Sequence, residues 1–298
     1  MKKSEFVRHS SFVIRYFCAA FTVVELLVVC AIIGVLALTL GPVLARSSNS
    51  QALQCMNNHR QLCAAWRMHA EDNNGRIVYA SDNGVGTAPY KAAIAGDAAY
   101  NNNAWTWSRM DFTAGNPYDW DPAADITLRP LWPYTGKDTN LYRCPSDRSH
   151  VVTTNGQAKP RVRSISMNYF LGGLGGGSGG ASGVNNYQLY LKVPEISVPN
   201  KIFVLLDQSA DTIQWGNYLT DMSGYPNVPG AYRFGEDLPG FYHDQSCTFS
   251  FVDGHVEEKH WLDTRTTPPP TGLGRPLLSP AAYSPDVAWL QDHATRPK

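Results

Sequence analysis

The sequence has no excess of charge of either sign. Lys and Arg total 25, Asp and Glu total 25, and charged residues make up only 17% of the 298 positions. A chain so balanced carries no basic field to hold a nucleic acid or an acidic lipid surface. It also lacks a Gly-Lys-Ser/Thr phosphate loop and any Ser or Cys in a nucleophile motif. The glycine-rich run 172–183 follows a strand-like stretch but has no helical pattern after it, which excludes a dinucleotide fingerprint. His243, His255 and His260 lack the spacing of zinc ligands, and Asp207, Asp211 and Asp221 do not follow an EF-hand. No internal repeat is present. No catalytic residue, cofactor or metal is therefore expected, and the chain reads as a non-enzyme.

Charge is missing most completely near the N-terminus. Residues 26–45 form an uncharged run of 20, about 30 Å as a helix, which matches a bilayer core. Lys2, Lys3, Arg8 and Arg15 precede it against one acid, Glu5, a bias that keeps the leader in the cytoplasm and sends the C-terminus outward. Glu25 stands at the lip of the run. An unpaired carboxylate there costs about 2–3 kcal/mol, and the α-amine created by a cut before Phe21 would supply a counter-charge.

Beyond Arg46 the helical pattern continues. Ala52, Met56, Cys63, Trp66 and Ala70 recur on an apolar face flanked by Leu53 and Leu62. Gln51, Gln54, Asn57, Asn58, Arg60 and Arg67 occupy the other face, and Asn73-Asn74-Gly75 ends the helix. From 21 to 73 this predicts one rod of about 80 Å. Residues 76–145 predict loops and short elements. Strands are expected at 164–169 and 202–207, a mobile Gly/Ser loop at 172–183, and an extended, loosely packed tail at 264–298, which holds seven prolines. Trp105, Trp107, Trp120 and Trp132 serve either as core or as a stacking surface for glycan.

Asp253-Gly254 lies between two alternating runs and predicts a two-residue hairpin turn. That register pairs Val252 with His255 and Phe251 with Val256. Cys247, Phe249, Phe251 and Val256 then face the core together. His243 and Asp253 would lie about 20 Å or more apart, at opposite ends of one strand, and their role reads as structural.

The stretch Phe21-Thr22-Val23-Val24-Glu25-Leu26-Leu27-Val28-Val29 resembles the cleavage and methylation motif of type IV prepilins and type II secretion pseudopilins. His243, nine residues, then Asp253-Gly254 is similar to the H-x9-DG signature of a large prepilin-like family. Cys55 with Asn57-Asn58, Cys144-Pro145-Ser146-Asp147, Ser166-Met167-Asn168 and the strand ending at Asp207 are similar to the same family. Ala20 stands where that family has Gly. The resemblance implies cleavage by prepilin peptidase between Ala20 and Phe21, N-methylation of Phe21, and assembly through Glu25. It also implies a helix kink at Pro42.

The implied fold is α+β: a long N-terminal helix, half transmembrane and half amphipathic, packed on a small antiparallel β-sheet head. The implied organisation is leader 1–20, transmembrane half 21–45, amphipathic half 46–73, exported head 74–262 and tail 263–298. The implied function is that of a structural or assembly subunit of a type II secretion or type IV pilus-like filament. It would sit in the cytoplasmic membrane as a single-pass protein with its head on the periplasmic side. Partners would be the peptidase and methyltransferase, other pilin-like subunits and the assembly platform, with no nucleic acid. The alternative is an exported, glycan-binding protein released by signal peptidase after Val43-Leu44-Ala45.

Export places the head in an oxidising compartment, where cysteines pair. Cys55 and Cys63 share the helix about 12 Å apart, too far to bridge each other. Cys55, the helix cysteine that the resemblance marks, is expected to pair with Cys144 in its adaptable loop, with Cys63–Cys247 as a second bridge; the alternative is four free, partly buried thiols.

Overall fold

The computed structural model describes residues 23–81, 103–106, 109–175, 184–272 and 279–298. The side chains of 35–49 and of Ser279 lie outside the description. Ala20, Phe21 and Trp107 fall outside the described residues, as does most of the run 172–183. The expected kink at Pro42 falls among the undescribed side chains. The chain divides into two compact units, Met1–Ser47 and Ser48–Lys298.

Helix α1 spans Val23–Asp72. In the N-terminal unit, the side chains of residues 23–34 are all exposed, with Val23 at 74% and Ile33 at 59%. Among the described residues, no helix is long and apolar enough to cross a membrane. The expected transmembrane half over 21–45 is overturned. So are the single-pass placement in the cytoplasmic membrane and the periplasmic-side head that depended on it.

The second unit also departs from a small antiparallel head on a long helix. Its main sheet has five strands: β3 (Ile165–Asn168), β4 (Phe203–Asp207), β5 (Asn217–Tyr218), β7 (Ser246–Phe251) and β8 (Val256–His260), in the order β5-β3-β4-β7-β8. Two further two-stranded sheets pair β1 (His150–Val152) with β2 (Ala158–Pro160), and β6 (Arg233–Phe234) with β9 (Ser279–Pro280). The main sheet is mixed, because β5 runs parallel to β3. A buried cation explains this pairing. The guanidinium of Arg163 donates to the carbonyls of Gln214 and Trp215, at 3.3 and 2.5 Å. Trp105 Nε1 donates to Gly216 O at 2.9 Å. Segment 214–216 is thus held against β3 by side chains far away in sequence, a device that no strand periodicity reveals.

Each face of the sheet carries its own core. On one face, Leu62, Cys63, Trp66 and Ala70 of α1 pack on Ile165, Met167, Val204 and Leu205. Ser246, Thr248 and Ser250 of β7 alternate with Cys247, Phe249 and Phe251, which belong to the opposite face. That opposite face is covered by α2 (Pro285–Ala294) through Val287, Leu290 and Ala294. The prolines of the expected loose tail are therefore compatible with a docked helix. Pro285 sits in the first turn, where its missing N–H costs nothing, and Ser284 caps the helix through Val287 N. Asp286 accepts hydrogen bonds from Leu262 N, Asp263 N and Thr266 Oγ1.

The β7–β8 hairpin forms one residue out of the expected register. Ser250 pairs with Val256, and Phe251 N donates to His255 O at 3.0 Å across a three-residue loop. Val252 is drawn away from its expected partner. It is buried, and its N–H donates to Ile202 O at 3.0 Å. Because side chains alternate, the slip moves Val256 off the face of Cys247, Phe249 and Phe251. Gly254 takes φ +96, a left-handed conformation that favours glycine; a Cβ there would also press on the end of the flexible Arg67 side chain, Nη1 at 2.6 Å.

Candidate functional site

The buried stripe of α1 in the second unit is not wholly apolar. Cys55, Asn58, His59, Leu62, Cys63, Trp66 and His69 turn inward at helical spacing, while Leu53 is 67% exposed. Asn58, expected on the outer face, instead donates to Asn140 O and Arg143 O, both at 3.1 Å. It thereby holds the loop that follows the 3-10 turn Thr139–Tyr142, whose next residues are Arg143 and Cys144. Cys144 N donates to Ser164 Oγ at 2.8 Å, which fixes the other side of that loop.

Asp207 is the last residue of β4, on the face that meets α1, where no water reaches it. His243 lies just before β7. Asp244 and Gln245, both in left-handed conformations, turn the chain there. These four segments bring four donors together. Sγ of Cys55 and Cys144, a carboxylate oxygen of Asp207 and a ring nitrogen of His243 all lie within 4.8 Å of one another, and all four residues are buried. Cys55 Sγ lies 3.2 Å from Asp207 Oδ2, and Cys144 Sγ lies 3.1 Å from His243 Nε2.

The hydrogen bonds around the cluster fix its protonation. Ser146 Oγ donates to Gln51 Oε1 at 3.2 Å and so must accept from His243 Nδ1, 3.3 Å away. The imidazole therefore carries a proton on Nδ1, and Nε2 faces Cys144. Burial, aided by Cys144, pushes the Cys55 thiol well above its ordinary value. Burial acts to raise Cys144 too, but hydrogen bonds with Cys55 and His243 outweigh it and bring that thiol below its ordinary value. Burial would lower His243, but its contact with Cys144 outweighs this and raises it. Asp207 also faces His59 Nε2 at 3.4 Å and accepts from Thr248 N at 3.4 Å.

The expected Cys55–Cys144 pair thus meets, but as two free thiols. Cys63 and Cys247 are also free and buried, and they bond separate carbonyls, Phe251 O and Asp207 O. His243 and Asp253 do occupy opposite ends of β7, where Asp253 O accepts from Arg67 Nη1 at 2.6 Å. The reading of His243 as purely structural missed the donors it meets. Asp207, Asp211 and Asp221 do not converge: Asp211 accepts from Thr271 and Gly272, and Asp221 pairs with Arg233. Trp105 is core, stacked on Tyr142. Trp132 packs on the same core, and Trp120 lies under Lys159. His59 and Gln51 carried no sequence signal of their own, and Ser146 stood out only as part of Cys144-Pro145-Ser146-Asp147. An acid closing the apolar run Ile-Phe-Val-Leu-Leu did mark Asp207.

Compared with family models, curated proteins and solved structures, the chain matches none.

Proposed function

We propose that this chain is a non-enzymatic assembly subunit of a pilin-like filament, matured by prepilin peptidase before Phe21, with the buried four-residue cluster fastening α1 to the head. The reading places no helix in a bilayer. The observation that carries it is residues 23–34. Val23, Val24, Leu26, Leu27, Val28, Val29, Ile32 and Ile33 are all exposed, a continuous apolar surface of the kind that marks an interaction site. Like segments of neighbouring subunits supply a cover of the same length and chemistry. Glu25 is the one charged residue among them, in the first turn of α1. In the filament that the resemblance implies, this carboxylate faces the Phe21 amine of an adjacent subunit, and the two opposite charges attract. The cluster supports the same reading. Four buried protein donors converging on one point leave no open ligand position for a substrate, which suits a fastening and not a catalytic centre.

Glu25→Ala should leave the fold of residues 48–298 unchanged by circular dichroism and abolish incorporation into filaments, scored by co-sedimentation and microscopy. Normal incorporation of the variant would remove Glu25 from assembly and sink this reading.

A further inference from the structure

We propose that Cys55, Cys144, Asp207 and His243 together bind one zinc ion, which joins the helix, the Cys144 loop, strand β4 and the lead-in to β7. The donor set is the first ground. Two sulfurs, one imidazole nitrogen and one carboxylate oxygen are the ligand types zinc takes, and the paired thiolates select it over hard cations such as calcium or magnesium. Geometry is the second. Tetrahedral zinc with bonds of about 2.0–2.3 Å places its ligand atoms about 3.3–3.8 Å apart. Here the four atoms already lie within 4.8 Å of one another, with contacts at 3.1 and 3.2 Å, so separations need to close by no more than about 1–1.5 Å to complete the shell.

The third ground is the surrounding hydrogen bonds. Ser146 and Gln51 hold the proton of His243 on Nδ1, which leaves Nε2 as the ligating atom. Ser146 N also donates to Cys144 Sγ at 3.4 Å, and Thr248 N and His59 orient Asp207. A cleft of about 660 Å³, lined in part by Gln51, Met56, Ser146 and His243, gives the ion an access path. On binding, each thiol gives up its proton to solvent, and His243 enters neutral. A disulfide between Cys55 and Cys144 would leave Asp207 and His243 without this role.

The test uses the full chain, purified reduced and without chelator. Elemental analysis should give about one zinc per chain. After chelator treatment, Co²⁺ titration should saturate at one equivalent with thiolate-to-cobalt charge-transfer and tetrahedral absorption bands. Ser146→Ala keeps all four ligands and should weaken metal affinity by about 10–100-fold, as loss of an orienting partner does. Cys144→Ser should remove about half of the charge-transfer intensity, one of two thiolates. A folded, reduced chain that gives no thiolate–cobalt bands would overturn the site. So would bands that Cys144→Ser leaves unchanged. Metal content and filament incorporation are separate readouts, so either can fail while the other stands.

Discussion

Trp66→Ala should lower the unfolding free energy by about 3–5 kcal/mol, the range for deleting a large aromatic from a packed core. Trp66 is fully buried on the face of α1 that meets the sheet, in one cluster with Leu62, Ile165, Val204 and Leu205. Its indole Nε1 has no hydrogen-bond partner, so the loss is one of packing and cavity formation, with no polar group orphaned. Leu53→Ala, two helical stripes away and 67% exposed, should change stability by no more than about 0.5 kcal/mol. Urea denaturation followed by far-UV circular dichroism compares the two. Equal effects would mean that α1 does not dock on the sheet through Trp66. The pair also calibrates Glu25→Ala, whose effect is on assembly and not on the core.

Stability should fall as pH rises from about 4 to about 7, and Asp237→Asn should flatten much of that slope. Asp237 is buried, and burial pushes its carboxyl up to about 7. Its hydrogen bonds from Leu219 N at 2.7 Å and Gln208 Nε2 at 2.8 Å work in the opposite direction without prevailing. The unfolded chain ionises near the ordinary carboxyl value of about 3.9. Between the two values the folded state holds a proton that the unfolded state has lost, so raising pH favours unfolding. One proton corresponds to a limiting slope of about 1.4 kcal/mol per pH unit. Asp119, also raised to about 7 chiefly by burial, adds the same sign. Asp237→Asn cannot ionise, so its stability profile from pH 4.5 to 7.5 should lose one proton's share. A variant profile parallel to that of the parent would show that Asp237 is ionised throughout.

Much of the strand content was legible because it is local. The run Phe203–Asp207 is a β-strand buried along its length, and the alternation Cys247, Phe249, Phe251 does mark one face. What resisted reading is non-local. The parallel strand β5 is two residues long and depends on Arg163 and Trp105 for its place. The hairpin slipped because Val252 bonds Ile202, a partner that no local turn rule weighs. The helix α2 was hidden by prolines that in fact flank and start it. The candidate site was half visible. Cys55 and Cys144 could be matched as a pair, but Asp207 and His243 arrive from a strand end and a turn, and four separate segments leave no spacing to find. His59 and Asn58 broke the apolar stripe of α1, so a reading that sorts residues only into apolar and polar faces put Asn58 outside.

The cluster and the exposed segment 23–34 serve one account: a head fastened to α1, and an N-terminal stretch left for neighbours to cover. Its most direct test is the N-terminus of the protein recovered from its native host, read by mass spectrometry. The account predicts a chain that begins at Phe21 with a methylated α-amine. A chain beginning at Arg46 would contradict it, because the segment that neighbours are to cover would have been cut away, leaving a released protein.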